Sequence, residues 1–199
     1  MYFAQGIDFH VLPYRFGIYD DGIYVEAADR AYADLVGRRL VSIGGVPAEV
    51  ALARVARLIS RDNDNWIAAV GPHLLNRMEV LHALGLAQTL RHAELTVRAG
   101  EGTNTRAVAA LPDPPRPSFG LPFLPRLTDD WVDARDAAPG PAPAFQRRFE
   151  DIYWWEYLPD HDLLYVAWNQ VQNRPDGPTA LATFREAMAF AREHRPART

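Results

Sequence analysis

Short apolar runs separated by turn residues dominate the first hundred residues of the chain. Phe16–Tyr19 and Ile23–Glu26 flank Asp20-Asp21-Gly22, a strong hairpin signal because Asp and Gly accept tight-turn geometry. Apolar and β-branched residues predict further strands at Leu40–Ile43, Ala93–Arg98 and Arg106–Leu111. This pattern predicts a β-rich region between residues 14 and 111.

Helical patterns interrupt these strands. A short helix is predicted over Ala28–Leu35, and a longer one runs from Pro47 to about Ile59. The apolar face of the longer helix comprises Leu52, Val55 and Ile59. A further helical stretch stops at Gly85, and its apolar side comprises Leu74, Met78 and Leu81.

Prolines are frequent from Pro112 to about Pro143. Each proline restricts the residue before it and lacks a backbone donor, which predicts a linker or an irregular flap. Several of its side chains are unusually apolar for a free linker: Phe119, Leu121, Phe123, Leu124 and Trp131. We therefore expect part of this stretch to lie against a domain.

The last block begins at Phe145 and combines strand and helix patterns. Tyr153–Tyr157 precedes a turn at Pro159–Asp162, and Leu163–Val171 is apolar on both faces, as in a covered parallel sheet. The helix predicted over Thr179–His194 has one apolar stripe, formed by Leu181, Phe184, Met188 and Ala191.

A strand followed by a helix is half of a βαβ unit, and the sequence reaches Thr199 before a second parallel strand. We therefore expect an unfinished α/β domain. Because unpaired apolar edges favour pairing, the strand at 163–171 should either self-associate or be covered by residues 119–131.

Composition narrows the possible chemistry. All 21 basic residues are arginine, and cysteine is absent, which excludes lysine bases, Schiff bases, thiolate nucleophiles and disulfides. The net charge is -4 with mixed signs, so nothing indicates a nucleic-acid partner. No stretch approaches the roughly 18 apolar residues of a membrane span. The N-terminal residues lack the pattern of a signal peptide, and the localisation stays unknown.

Candidate nucleophiles, metal ligands and phosphate loops have weak support. The serines are Ser42, Ser60 and Ser118, and none lies in a Gly-x-Ser-x-Gly elbow. A Ser-His-Asp triad assembled in space stays possible on composition. Asp8 with His10, and Asp160–Asp162, lack the spacing of zinc ligands. Gly100-Glu101-Gly102 precedes a polar turn instead of a helix, so it predicts no phosphate site. We expect no catalytic residue, metal or cofactor in this chain.

Two regions carry a resemblance to a known family. Gly22–Val25, Leu35–Gly45 and Glu94–Arg98 are similar to a PDZ-like domain of the bacterial protease type. Ser60–Asn63 followed by Trp66 resembles a segment found in a branch of the tail-specific (C-terminal-processing) serine peptidases. The second region, Tyr153–Tyr157 with Leu164–Gln170, resembles the strand that opens the catalytic domain of that branch.

The resemblance implies an α+β fold in four parts. A PDZ-like domain at 14–111, with a helical insertion at about 60–92, follows an extension at 1–13. A Pro-rich connector at 112–144 leads to residues 145–199, the first strand and helix of an incomplete α/β catalytic domain. In that family, later segments supply the oxyanion hole, the serine and its lysine. We therefore expect this chain alone to be inactive as a peptidase, and family members are often exported.

The resemblance also implies a binding site, since PDZ-type domains add an extended chain to a sheet edge. The implied peptide-binding residues are Arg15, Phe16, Gly17 and Ile18, with Arg15 attracting a terminal carboxylate and Gly17 allowing close approach. The alternative is an ordinary strand with glycine at a bulge. Asn169 and Gln170 either line the active-site cleft or form hydrogen bonds at a strand end.

Two functions remain open from the sequence. One is substrate recognition in a tail-specific serine peptidase, binding an extended peptide or a protein C-terminus. The other is a stand-alone PDZ-like binding or scaffolding protein with no enzymatic role. The reading frame beyond Thr199 would distinguish them, since a serine-containing motif there supports the peptidase.

Overall fold

The computed structural model describes residues 10–112, 130–137, 139–148 and 151–198. The chain forms two compact units, Met1–Ala138 and Pro139–Thr199. The fold is mixed α+β with several antiparallel sheets. Among the described residues, no helix combines the length and the apolar character needed to cross a membrane.

The first unit contains three sheets and three α-helices in its described part. In chain order these elements are β1 His10–Val11, β2 Tyr14–Tyr19, β3 Gly22–Asp29, β4 Leu40–Ile43, β5 Val46–Pro47, α1 Ala48–Ala56, α2 Asn65–Leu74, α3 Met78–Ala83, β6 His92–Ala99, β7 Gly102–Ala109, β8 Leu111–Pro112 and β9 Trp131–Asp133. The strand orders are β2-β3-β9, β5-β4-β6-β7 and β1-β8, all antiparallel.

The predicted hairpin of the first unit is confirmed, and the two strands predicted around Gly100–Gly102 also form a hairpin, although the second strand covers Gly102–Ala109 instead of Arg106–Leu111. β2 and β3 pair around Asp20 and Asp21, and β6 pairs with β7 around Gly100 and Glu101. A bulge interrupts the first hairpin because Arg15 pairs with Ala27 while Phe16 pairs with Val25. The extra residue is Glu26, so the bulge lies on β3.

Apolar side chains between Leu12 and Val108 form one core in the first unit. Its largest fully buried members include Tyr14, Leu12, Leu35, Leu40, Ile43, Leu75, Met78, Leu81, Leu86 and Leu95. α1 buries Ala48, Ala51 and Val55, whereas Leu52 is half-buried. The predicted helix to Ile59 ends at Ala56, although Ile59 is buried as expected.

Two helical predictions need correction. The helix expected over Ala28–Leu35 is a 3-10 helix at Arg30–Leu35, because β3 continues to Asp29, whose side chain caps the helix by accepting from the Ala31 N–H. The single helix expected around Leu74, Met78 and Leu81 is two helices, α2 and α3. All three side chains are buried. The backbone is extended at Arg77, which forms an antiparallel bridge with Val11 and so separates the two helices.

The predicted connector ends in regular structure. Trp131–Asp133 forms β9 and pairs with Ala27–Asp29, and a 3-10 helix follows at Ala134–Ala137. The apolar positions Phe119, Leu121, Phe123 and Leu124 lie outside the described residues, as do Ser118 and Asp8. The expectation that Trp131 lies against a domain is confirmed, since its strand completes a sheet of the first unit.

The second unit consists of a hairpin and a helix with a short helix before them. Its elements are α4 Ala144–Arg147, β10 Tyr153–Leu158, β11 Leu163–Trp168 and α5 Ala180–His194. β10 and β11 pair antiparallel across a 3-10 turn at Pro159–His161. After α5, Arg198 returns beside the start of β11 and forms a parallel bridge with Leu163.

Two details of the second unit differ from expectation. The strand predicted over Leu163–Val171 ends at Trp168, and it is not apolar on two covered faces, because Val166 is 41% exposed and Trp168 53% exposed. The apolar stripe predicted to be the buried face of α5 is also wrong. Leu181, Phe184 and Met188 are exposed, while Thr183 and Ala187 are buried and Phe190 packs on Trp155 and Tyr157.

Candidate functional site

A groove follows the edge of β2 that faces away from β3. One wall is formed by Phe16–Tyr19, and the other by side chains of α2 and the residues after it: Ala68, Ala69, Pro72, His73 and Asn76. Arg15 and Glu26 complete the lining, and the cavity measures about 240 Å³. The groove therefore contains three of the four sequence-predicted peptide-binding residues along one open strand, with Arg15 at its end.

Hairpin geometry directs the peptide groups of Phe16 and Ile18 into this groove. The loop contains two residues, so the flanking residues Tyr19 and Gly22 form a hydrogen-bonded pair. Hydrogen-bonded positions alternate along an antiparallel pair, which turns the N–H and C=O groups of Ile18 and Phe16 away from β3. In the part of the chain that the structure describes, no strand pairs with this edge. The edge can accept one further strand.

The start of β2 is closed by the chain itself. The Asn76 side-chain amide donates to the carbonyl of Tyr14, and the Leu12 N–H donates to the carbonyl of Asn76 at 3.0 Å. A bridge between Val11 and Arg77 continues this connection. The open length of the edge is therefore Phe16–Ile18.

An ion-pair cluster lies beneath the same strand. Arg15 is 8% exposed; its Nε lies 2.9 Å from Glu26 Oε2 and its Nη2 lies 2.6 Å from Asp133 Oδ2. Arg135 also binds Asp133 through both Nε, at 2.8 Å, and Nη2, at 2.6 Å. The Tyr19 hydroxyl donates to Glu26 Oε1 at 2.7 Å. The positive charges of two arginines therefore neutralise the negative charges of two carboxylates within the cluster.

The cluster changes the pKa of two of its members. Burial alone would raise the pKa of Asp133, but hydrogen bonds from Arg135 and the charge of Arg15 outweigh it and lower the pKa to about 2. The hydrogen bond to the Glu26 carboxylate, together with burial, raises the pKa of Tyr19 to about 12. Asp133 therefore remains ionised across the physiological range, and Tyr19 remains a neutral hydrogen-bond donor.

Gly17 has a steric role inside this arrangement. A Cβ atom at position 17 would lie 2.1 Å from Glu26 Oε1 and 2.6 Å from Glu26 Cδ. The Glu26 side chain crosses the place where another residue would have its side chain, and from there it reaches both Arg15 and Tyr19. The bulge of the sequence alternative exists, but it places Glu26, not Gly17, in the extra position.

Arg15 is placed differently from the sequence-based expectation of a carboxylate receptor. Its guanidinium is already bound by two carboxylates, and little of it reaches solvent. A terminal carboxylate at Arg15 would have to displace Glu26 or Asp133. Arg15, on β2, instead forms ion pairs with Glu26 of β3 and Asp133 of β9, and these pairs connect the three strands.

The two predicted cleft residues of the second unit have local partners. The Asn169 side chain donates to the carbonyls of Arg148, at 2.9 Å, and Asp151, at 2.7 Å. The Gln170 side chain accepts from Gln172, and its backbone N–H donates to the Ile152 carbonyl at 3.1 Å. These bonds fasten the segment before β10 to the end of β11, as the sequence alternative of strand-end hydrogen bonding describes.

In the described part of the chain, the weaker candidate residues do not form a common site. Ser42 lies in β4. His10 Nδ1 lies 2.8 Å from Glu79 Oε1. Asp162 has a left-handed backbone, with φ +44, and its side chain accepts from the Tyr157 hydroxyl and the Ala197 N–H. The contacts of His10 and Asp162 are therefore structural ones within the fold.

Sequence reasoning missed four side chains around the groove: Tyr19, Glu26, Asp133 and Arg135. Regular pairing of the predicted hairpin places Glu26 opposite Arg15, so that ion pair could have been inferred from the sequence, whereas the Tyr19–Glu26 contact could not. Asp133 and Arg135 lie within the Pro-rich stretch predicted as a connector, and no local pattern in the sequence links them to Arg15. No protein-family model matches the chain, and neither a curated protein nor a solved structure matches it.

Proposed function

We propose that this chain binds extended polypeptide by accepting it as an additional strand on β2, in the groove beside α2. The observation that carries the proposal is the open edge at Phe16–Ile18, whose peptide groups face a helix with small side chains. Ala68 and Ala69 leave room for a backbone and for apolar side chains of the ligand. Main-chain hydrogen bonds to β2 would supply affinity, and alternate side chains would supply selectivity.

A strand edge beside a helix also supports the PDZ-like interpretation of the first unit. The hairpin, α1 and the strands of the second sheet belong to the part that the resemblance assigns to the PDZ-like domain, whereas α2 belongs to the insertion at about 60–92, so the wall opposite β2 comes from the insertion. The chemistry of such a site is binding only. No bond is made or broken, and no lysine is present to activate a serine.

The second unit favours the recognition part of a tail-specific peptidase over a stand-alone scaffold. Its α5 follows β11 and leads to Arg198, whose carbonyl accepts from the Leu164 N–H at 3.0 Å in a parallel bridge. A strand, a helix and a parallel return form the basic unit of α/β domains. The scaffold remains the alternative, and both functions use the same groove.

An NMR titration tests the groove directly. Blocked heptapeptides of extended sequence should bind with micromolar affinity, roughly −8 kcal/mol, and shift the amides of Phe16–Ile18 and of α2. N-methylation of alternate ligand amides should abolish binding in one register and leave it intact in the other. Equal binding by all N-methylated ligands would contradict strand addition.

Two glycine variants provide a matched comparison. Gly17→Val should weaken binding at least tenfold, about 1.4 kcal/mol, because the new side chain collides with Glu26 and disturbs the edge strand. Gly102→Val introduces the same side chain at a strand position where only the Ala99 carbonyl lies near, at 3.8 Å, and it should leave binding unchanged. A free carboxylate on the ligand should add little, since Arg15 is already paired.

A further inference from the structure

The groove on β2 has two chemically different sides. Side chains alternate along a strand, so a ligand strand would direct every second side chain toward α2 and the others toward the face that carries Glu26. The α2 side offers apolar or small groups, Ala68, Ala69 and Pro72. The other side offers Gly17, which has no side chain, with the Glu26 carboxylate across it.

Resting on the proposed function, we propose that the groove selects segments with a lysine or arginine at the position that faces Gly17, flanked by apolar residues. The Glu26 side chain is 29% exposed, and within the described part of the chain Oε1 accepts one hydrogen bond from Tyr19 and Oε2 one from Arg15. A carboxylate can accept about four hydrogen bonds in total. Glu26 therefore has capacity for an ammonium or guanidinium donor from the ligand.

The surrounding charges favour the same ligand. Asp20 and Asp21 are exposed at the tip of the hairpin, directly after Tyr19. Arg15, the arginine that lines the groove, is buried and divided between Glu26 and Asp133. Asp133 in turn shares Arg135, so the cluster itself is neutral and the hairpin tip adds two negative charges. The Arg39 side chain lies beside Gly22 but pairs with Glu49 at 3.3 Å, so carboxylates are in excess at the tip and favour a cation.

Steric room supports a long side chain at this position. Because residue 17 is glycine, a ligand residue opposite it can pass its methylene groups over the strand and reach the Glu26 carboxylate. Lysine and arginine have such stems, with the charge at their end. A glutamate in the same place would meet the Glu26 carboxylate and be repelled.

Three blocked heptapeptides with leucine at positions three and five test this selectivity. They differ only at position four, which is lysine, glutamine or glutamate. The lysine peptide should bind about fivefold more tightly than the glutamine peptide, and the glutamate peptide about fivefold more weakly. The differences should shrink as salt is raised from about 0.05 to 0.5 M.

Glu26→Gln should remove the preference for lysine, whereas Glu101→Gln should preserve it. Glu101 is exposed in the turn between β6 and β7, so its variant changes net charge equally. Equal affinity for all three peptides would overturn this inference and leave the proposed groove intact. Binding of none would overturn both. A preference for lysine that persists in Glu26→Gln would overturn the role of Glu26; if that variant does not fold, the three peptides on the native chain still decide.

Discussion

β2 and β11 are both hairpin strands with a helix nearby. In the described part of the chain each has an edge open to solvent, but the chemical character of the two surfaces differs. The open edge of β2 lies over a paired ion cluster, and the side chain of Phe16 is buried. Beyond its bridge to Arg198, β11 exposes Val166 and Trp168.

The difference shows how edge strands control their own pairing. Charges and bulges near an edge restrict which chain can join it; β2 carries Arg15, and the bulged residue Glu26 of β3 crosses over Gly17. β11 has an antiparallel partner in β10 and apolar side chains on its outer face, which favour unselective association. We therefore expect β2 to be the selective edge, and self-association through β11 stays a prediction.

The largest expected difference between the strands is in core packing. Phe16→Ala should lower the free energy of unfolding of the first unit by about 3–5 kcal/mol, because a buried aromatic ring leaves a cavity. Trp168→Ala should cost the second unit under about 1 kcal/mol, since the ring is 53% exposed. Hydrogen exchange measured by mass spectrometry separates the two units. Similar losses of protection for both variants would contradict the comparison.

The free energy of unfolding of the first unit should also depend, to a smaller extent, on the ion cluster. Arg15→Met should cost about 2–4 kcal/mol because it leaves the buried Asp133 with one partner fewer. Arg106→Met is the control: Arg106 pairs with Asp34 at the surface, and its loss should cost about 1 kcal/mol or less. Urea unfolding followed by circular dichroism measures both, and equal costs would show that burial of the cluster is unimportant.

The cluster also predicts the sign of an acid dependence. The pKa of Asp133 is about 2 in the folded chain, below the ordinary 3.8. The ionised carboxylate therefore stabilises the fold above about pH 4, and this contribution is lost as the pH falls from about 4 to 2. The Asp133→Asn variant should lack that part of the pH dependence in urea titrations at successive pH values.

The smallest expected effect concerns β11. Because Val166 is 41% exposed, Val166→Lys should leave the second unit folded and weaken any self-association about tenfold, near 1.4 kcal/mol. Asn104→Lys places the same charge on the exposed edge strand β7 and should leave association unchanged. Sedimentation velocity across a concentration series measures this. A monomer indifferent to both substitutions would restrict the role of β11 to intramolecular packing.

Local patterns in the sequence determined a large part of this molecule. The hairpin at Asp20-Asp21-Gly22, the strand at Leu40–Ile43 and the final helix follow from turn residues and hydrophobic periodicity, which act between near neighbours. Composition alone excluded lysine and cysteine chemistry. The strand at Phe16–Ile18 could also be predicted from the sequence, because it adjoins a recognisable turn.

Only the tertiary structure decided what surrounds that strand. Asp133 reaches Arg15 across 118 positions, and no local pattern encodes such a contact. The buried side of α5 depends on where Trp155 and Tyr157 place their rings, so Phe190 packs there while Leu181 and Phe184 face solvent. Ion pairing and ring packing depend on distances between segments that meet only after folding, and these interactions gave Arg15 and Glu26 their final roles.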